Sequence, residues 1–304
     1  MAIRITRTTA TVLGITGILL FSSKAVLVKL AYQYEIAPIP LMVLRMGFAL
    51  PFYLVLAFFQ RPQDRAALKP KHYVGLVLSG ILGYYLASWL DFLGLQYIKA
   101  SLERLILFSY PIMVLLINRM LFGERLSRNH FYAMGITYLG MVIIFLPELD
   151  QLGQGVVLGS VLILGSALSY ATYLVGSGRL LPLFGTGAFT SYCMIVSCSC
   201  VLIHYGLTDG SNLRSYPREV YGLGFAMSIL ATVVPTYLIS AAIKKLGAST
   251  FSLFAGLGPL STIFLAYIFL GERLTFWQWV GSGIVIAGIG LISRKKKLEK
   301  KPVS

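Results

Sequence analysis

Apolar runs of about twenty residues recur along the entire 304-residue chain, and this pattern constrains its fold more than any other feature. Each run is long enough to cross a hydrocarbon core roughly 30 Å thick as a helix. Ten such spans are expected, at 10–31, 38–59, 73–95, 100–121, 129–146, 155–178, 186–207, 219–243, 249–270 and 275–292. The connections are short; 60–72 and 208–218 are the longest. Charged residues make up 12% of the chain, against about 25% in a soluble domain. No stretch is both long and polar enough to build a separate soluble domain. The expected fold is therefore an all-α membrane protein whose main partner is the lipid bilayer.

The net charge of +15 raises the question of nucleic acid. The basic residues lie in short loops and in a terminal run, Arg294 to Lys297 with Lys300 and Lys301, so no nucleic-acid partner is expected. Sorted by loop, they set the orientation. With the N-terminus inside, seventeen Lys and Arg fall on the cytoplasmic side, including Arg61, Arg65, Arg179 and the six of the tail. Only Lys99, Arg214, Arg218 and Arg273 fall outside. The positive-inside rule then places both termini in the cytoplasm of a multi-pass inner-membrane protein. The N-terminal segment, with Arg4 and Arg7 before its apolar run, reads as a retained first helix rather than a cleaved signal peptide.

The second half of the chain repeats the first. A shift of 148 residues lays Ala100-Ser101 on Ala248-Ser249, Pro111 on Pro259, and Gly123-Glu124-Arg125-Leu126 on Gly271-Glu272-Arg273-Leu274. Gly135 and Gly140 fall on Gly283 and Gly288, and residues 100–144 contain twelve ungapped identities. The expected units are 1–147, 148–293 and a basic tail, 294–304. Each unit holds five spans, an odd number, so the two copies insert in opposite senses. Inverted repeats of this kind build carriers, because exchanging the conformations of two related halves opens a path alternately to each side. The Gly-Glu-Arg segments themselves read as helix-ending turns or as gates, with the turn reading favoured by Gly at a helix C-terminus and Glu near the next N-terminus.

Two copies of a five-helix unit, each with an Ala-Ser start, a mid-helix Pro and a Gly-Glu-Arg-Leu loop before a Gly-rich helix, resemble the EamA-type drug/metabolite transporter superfamily. The resemblance covers almost the whole chain. It implies ten helices in two inverted repeats around a central cavity, cytoplasmic termini, and export or exchange of a small polar metabolite such as an amino acid. It contains no motif for a particular substrate.

Lys24, Arg45, Asp91, Glu103 and Arg104 lie within expected spans, where an ionisable side chain costs about 2.5–3.5 kcal/mol and is a functional candidate. At 1.5 Å per residue they share the outer half of the first copy. The residues 148 positions after Asp91, Glu103 and Arg104 are Ile239, Phe251 and Ser252, none of them charged. The small-residue stripe Gly75, Ser79, Gly83 and Ala87 leads to Asp91 and turns it toward protein. Two readings of the charges stand side by side. In one, Lys24 or Arg45 takes a substrate carboxylate or phosphate, and Asp91 or Glu103 couples transport to protons. In the other, Arg45 with Asp91, or Lys24 with Glu103, neutralise each other and fix helix packing.

Tyr84, Tyr85, Trp89, Tyr110 and Tyr170 are candidate cavity walls, although single aromatics in spans also serve as packing residues. Trp277 and Trp279 read as interfacial anchors. Pro111, Pro235 and Pro259 free backbone carbonyls inside spans and are candidate bends. Cys193, Cys198 and Cys200 match no disulfide or metal spacing and read as small buried hydrophobes. His72, His130 and His204 are scattered at span ends. There is no H-E-x-x-H, no G-x-S-x-G and no P-loop, so no catalytic role, metal or cofactor is expected. A channel or an embedded enzyme without a recognisable motif is the alternative to a carrier.

Overall fold

The computed structural model describes residues 6–62, 68–123, 128–145, 154–208, 213–254 and 257–271, with scattered positions between 275 and 287. The described residues are helical, with no strand among them. In chain order the helices are α1 (Arg7–Tyr32), α2 (Pro38–Phe59), α3 (Pro70–Tyr97), α4 (Ala100–Leu107), α5 (Tyr110–Phe122) and α6 (Arg128–Phe145). Then follow α7 (Gln154–Phe184), α8 (Thr186–Thr208), α9 (Arg218–Leu246), α10 (Ala248–Phe254) and α11 (Leu257–Leu270). Six of these, and the stretch Ala248–Leu270, are long and apolar enough to cross a membrane. Exposed Phe58, Phe59, Ile203 and Leu207 on these helices, with Met120 and Leu121 on the shorter α5, make a surface suited to lipid rather than water.

Two expected boundaries change. The fourth span is not one helix: it divides between α4 and α5 just ahead of Pro111. Proline cannot donate to the preceding turn, so the bend expected at Pro111 falls there. The sixth span does not end at 178 but runs to Phe184, carrying Arg179 into the helix and holding Leu181 and Phe184 in the core. Arg179 is therefore not a loop charge; its guanidinium lies 4.0 Å from the Phe122 ring centre. Half of the tenth span, 275–292, lies outside the described residues; within the described part, exposed Trp277 and Trp279 fit the interfacial reading. Prolines at 51 and 182, within α2 and α7, were not among the expected bends.

The 148-residue offset is visible in the element boundaries. Adding it to the residue numbers of α2 gives 186–207, against 186–208 for α8, and adding it to α3 gives 218–245, against 218–246 for α9. Packing is crosswise. Helix α1 lies on α9 and α11, and its counterpart α7 lies on α3 and α5, while α2 and α8 pack on each other. The close crossings need glycine. Gly94 of α3 and Gly159 of α7 meet so closely that a Cβ on Gly159 would stand 3.2 Å from the Gly94 carbonyl oxygen.

Both copies of the third helix also widen at the same place. Residues Ile81–Leu86 of α3 and Ile229–Val233 of α9 form π-helical turns, offset by 148. Gly123 and Gly271, another matched pair, adopt left-handed φ values of 65° and 68°. The Gly123 N–H closes α5 by bonding the Arg119 carbonyl at 3.0 Å, as the helix-ending reading requires. The Glu and Arg of both loops lie outside the described residues.

Candidate functional site

The five charged residues expected inside the membrane gather in one region, and none is more than 5% exposed. Their pairing differs from expectation. Lys24 of α1 takes Asp91 of α3, with Nζ 2.7 Å from Oδ2, whereas the packing reading pairs Arg45 with Asp91 or Lys24 with Glu103. Glu103 instead pairs with its neighbour Arg104, Oε2 to Nε at 3.3 Å, and its carboxyl lies beside that of Asp91. The reason lies in α3. The stripe Gly75, Ser79 and Gly83 faces α7, where a Cβ on Gly75 would meet Leu180 and one on Gly83 would meet Tyr173. The π turn then inserts extra rotation, so Asp91 points to α1.

Aromatic rings frame the cations. Phe21 lies between Lys24 Nζ, 5.2 Å from its centroid, and the Arg104 guanidinium, at 5.8 Å. It stacks on Tyr170 at 6.2 Å, and Tyr110 meets Tyr170 edge-on at 5.2 Å. Arg104 also donates through Nη2 to the Phe21 carbonyl at 3.1 Å, fixing it against α1.

A cavity opens beside this cluster. It is walled by Phe21 and Arg104 of the first copy together with Tyr170, Ile239, Phe251 and Pro259 of the second. Tyr110 joins them. The space open to water centres is about 40 Å³, room for a few waters. Of the expected wall residues, Tyr110 and Tyr170 line it. Tyr84 does not; it is buried against Tyr173, hydroxyl to hydroxyl at 3.2 Å. Trp89 does not either, and packs edge-on to His204 at 5.0 Å, beside Tyr85. Among the expected bends, Pro259 lines the cavity, and Pro235 follows the second π turn directly.

Arg45 makes neither of these ion pairs, although Asp91 lies close enough to act on it. Fully buried on α2, it donates from Nε to Thr232 Oγ1 at 2.7 Å and from Nη1 to Ser88 Oγ at 3.2 Å, with its guanidinium 5.6 Å from the Phe92 ring centre. Ser88 and Thr232 lie at or just past the two π turns, one in each copy. Further on, hydroxyl pairs continue without charge: Tyr53 with Thr236 at 2.8 Å, Thr190 with Ser240 at 2.7 Å, and Ser191 with Tyr237 at 2.6 Å. Phe21, Phe251, Ser88 and Thr232 were not singled out from the sequence. The nearest signal was the offset itself, since Thr232 is the counterpart of Tyr84.

Cys193 and Cys198 are buried and unoxidised, donating to the carbonyls of Leu76 and Met46, as small core residues do. No cluster of metal-ligating side chains occurs among the described residues.

Two copies of a helical unit, crossed over a shared polar interior, define a multi-pass membrane transporter. The chain belongs to the EamA-like transporter family, whose model matches residues 8–146 and 157–294, once for each copy. An uncharacterized transporter, YcbK of Bacillus subtilis (strain 168), is 30% identical over 296 residues, 96% of this chain and 95% of that one. A second uncharacterized transporter, from Archaeoglobus fulgidus, is 24% identical over 278 residues, covering 88% of this chain and 93% of its own. The quaternary ammonium compound-resistance protein QacF of Klebsiella aerogenes is 25% identical over 105 residues, 34% of this chain and 84% of that protein. A solved protein structure superposes with TM-score 0.75 over 97% of this chain and all of that one, at 17% identity, which shows the shared fold.

Proposed function

We propose that the chain is a secondary carrier that exports or exchanges a small polar metabolite by alternating access between inverted repeats, 1–147 and 148–293. Both termini, with the basic tail 294–304, lie in the cytoplasm on this reading. The observation that carries it is the juxtaposition of a cavity walled by both copies with a buried, paired set of charges. A packing role alone needs ion pairs but no cavity beside them. Exchanging the two crosswise contact sets, α1 on α9 and α7 on α3, would move the constriction from one end of the path to the other.

Lys24, Asp91, Glu103 and Arg104 form the polar floor of the path in this reading, and Phe21, Tyr110 and Tyr170 its walls. The Lys24–Asp91 pair opens and closes with the transport cycle, and Asp91 or Glu103 supplies the proton-coupling group. The test is counterflow in proteoliposomes with a mixed panel of labelled amino acids and small metabolites, with and without a pH gradient. At least one solute should exchange, and both Lys24→Ala and Asp91→Asn should lower the rate. If no solute moves, the carrier reading is wrong. If both variants exchange normally with unaltered pH dependence, the site assignment is wrong.

A further inference from the structure

Among the described residues the only charged side chains buried in the bundle are Lys24, Arg45, Arg104, Asp91 and Glu103. Three are cations and two are carboxylates. The two ion pairs use both carboxylates, Lys24 with Asp91 and Arg104 with Glu103, and Arg45 is left over. The one carboxylate that acts on it, Asp91, is already held by Lys24. Thr232 and Ser88 offer neutral hydroxyl oxygens, Phe92 a ring, and Nη2 is buried without a hydrogen-bond partner. An isolated cation in such a setting is strongly destabilising unless something of opposite charge completes it. A guanidinium with a spare edge is also the side chain best shaped to take a planar acid group.

We infer that the transported solute carries one net negative charge, and that its acid group is received by Arg45 between the hydroxyls of Ser88 and Thr232. This rests on the carrier reading and specifies its substrate class. One anion would complete the balance of the five buried charges. The Ser88 hydroxyl accepts from Arg45 and keeps its own proton for a second acceptor. A cationic solute would instead add to a cluster whose cations already outnumber its carboxylates, three to two.

The location also suits a carrier. Ser88 lies two residues past the π turn of α3, and Thr232 lies within the π turn of α9. A ligand seated on Arg45 therefore touches the same element of both copies at once. Such turns recur at functional sites, where the helix can change its winding at little cost. The repeat counterpart of Arg45 is Cys193, which supplies no second cation, so there is one acid site per chain.

The experiment uses the full chain purified in detergent and reads its thermal unfolding midpoint with matched probes. These are acetate, lactate and benzoate, their neutral amides, and benzyltrimethylammonium. At least one carboxylate should raise the midpoint by several degrees, while its amide and the ammonium leave it unchanged. Arg45→Gln should abolish that shift and leave the midpoint of the unliganded protein equal or higher, because an uncompensated charge has gone. Arg45→Lys should retain part of the shift.

The inference is overturned if no carboxylate shifts the midpoint, if the shift survives Arg45→Gln, or if Arg45→Gln lowers the unliganded midpoint as loss of a structural residue would. Counterflow with the same probes separates the two layers. Exchange of an amide or the ammonium without a carboxylate removes the anion inference and leaves the carrier. Exchange of no probe and no solute of the broader panel removes the carrier itself.

Discussion

The two π turns occupy equivalent positions in the two copies, yet each is held open by different chemistry. In α3 the Leu82 carbonyl, reached by the Ala87 N–H, also accepts from Ser169 Oγ of α7 at 2.7 Å, and the Ala87 carbonyl accepts from Ser166 at 2.7 Å. The first turn is therefore supported from outside, by the opposite copy. In α9 the Thr232 hydroxyl bonds the Met227 carbonyl of its own helix at 2.9 Å, five residues back, and Pro235 removes a donor just beyond. The second turn is held by a hydroxyl of its own helix, which Arg45 of the first copy also engages. Backbone geometry has been kept while its means were exchanged, which is the mark of a shape under stronger constraint than the residues that produce it. Charge follows the same division: α3 goes on to Asp91, and α9 at the equivalent position to Ile239.

Substitutions at matched positions can break this comparison or sharpen it. The largest effect is expected at Asp91. Asp91→Asn strands Lys24 in the core and should cost about 3–5 kcal/mol, whereas Ile239→Leu at the matched position should cost less than about 1.5 kcal/mol. Chemical unfolding in detergent compares the two, and equal losses would mean that the charge asymmetry carries no energetic weight. Next comes Gly83, whose added Cβ would press into the Tyr173 ring. Gly83→Ala should destabilise by about 1–3 kcal/mol, and Ala231→Gly in the other copy by about 1 kcal/mol.

A more diagnostic pair is Ser169→Ala and Thr232→Val. Each removes one hydroxyl that supports a π turn; Ser169→Ala should cost about 1 kcal/mol, and Thr232→Val about 1–3 kcal/mol because it also leaves Arg45 Nε unsatisfied. Exchange rate should fall sharply only with Thr232→Val, because that hydroxyl also holds Arg45; equal loss in both would tie function to the turns and not to Arg45. The smallest effect is expected from Pro235→Ala, within about 1 kcal/mol. Since α3 keeps its turn with Ala87 in the matched place, the turn in α9 should persist. Hydrogen exchange over 229–236 checks this, and marked slowing there would show that proline alone opens the second turn.

The architecture was largely legible from the sequence, and the site only in part. Apolar runs, glycines and prolines act locally, so span positions and the 148-residue offset follow from the residues themselves. Azimuth does not. The spacing of Lys24, Arg45 and Asp91 places them at similar depth, but which of the two cations meets Asp91 depends on how α3 is rotated against α1, and the π turn resets that rotation. Neither π turn leaves a mark in hydropathy, and only one is accompanied by proline. For the same reason Tyr84 and Trp89 were expected on the cavity wall but face Tyr173 and His204, while Phe21 and Phe251 went unnoticed among many phenylalanines.

Crosswise packing has a consequence for how the protein is made. Helix α1 rests on α9 and α11, which begin 186 and 225 residues after α1 ends. At a synthesis rate of about 5–20 residues per second, α1 waits roughly ten to forty seconds for its main neighbours. Throughout that interval Lys24 has early companions in Asp91 of α3, its ion-pair partner, and Glu103 soon after it, both made before most of the chain has been synthesised. The ion pair thus doubles as a temporary clasp, keeping the newborn first half together, and shielding its charge from lipid, until the second half inserts to complete the bundle.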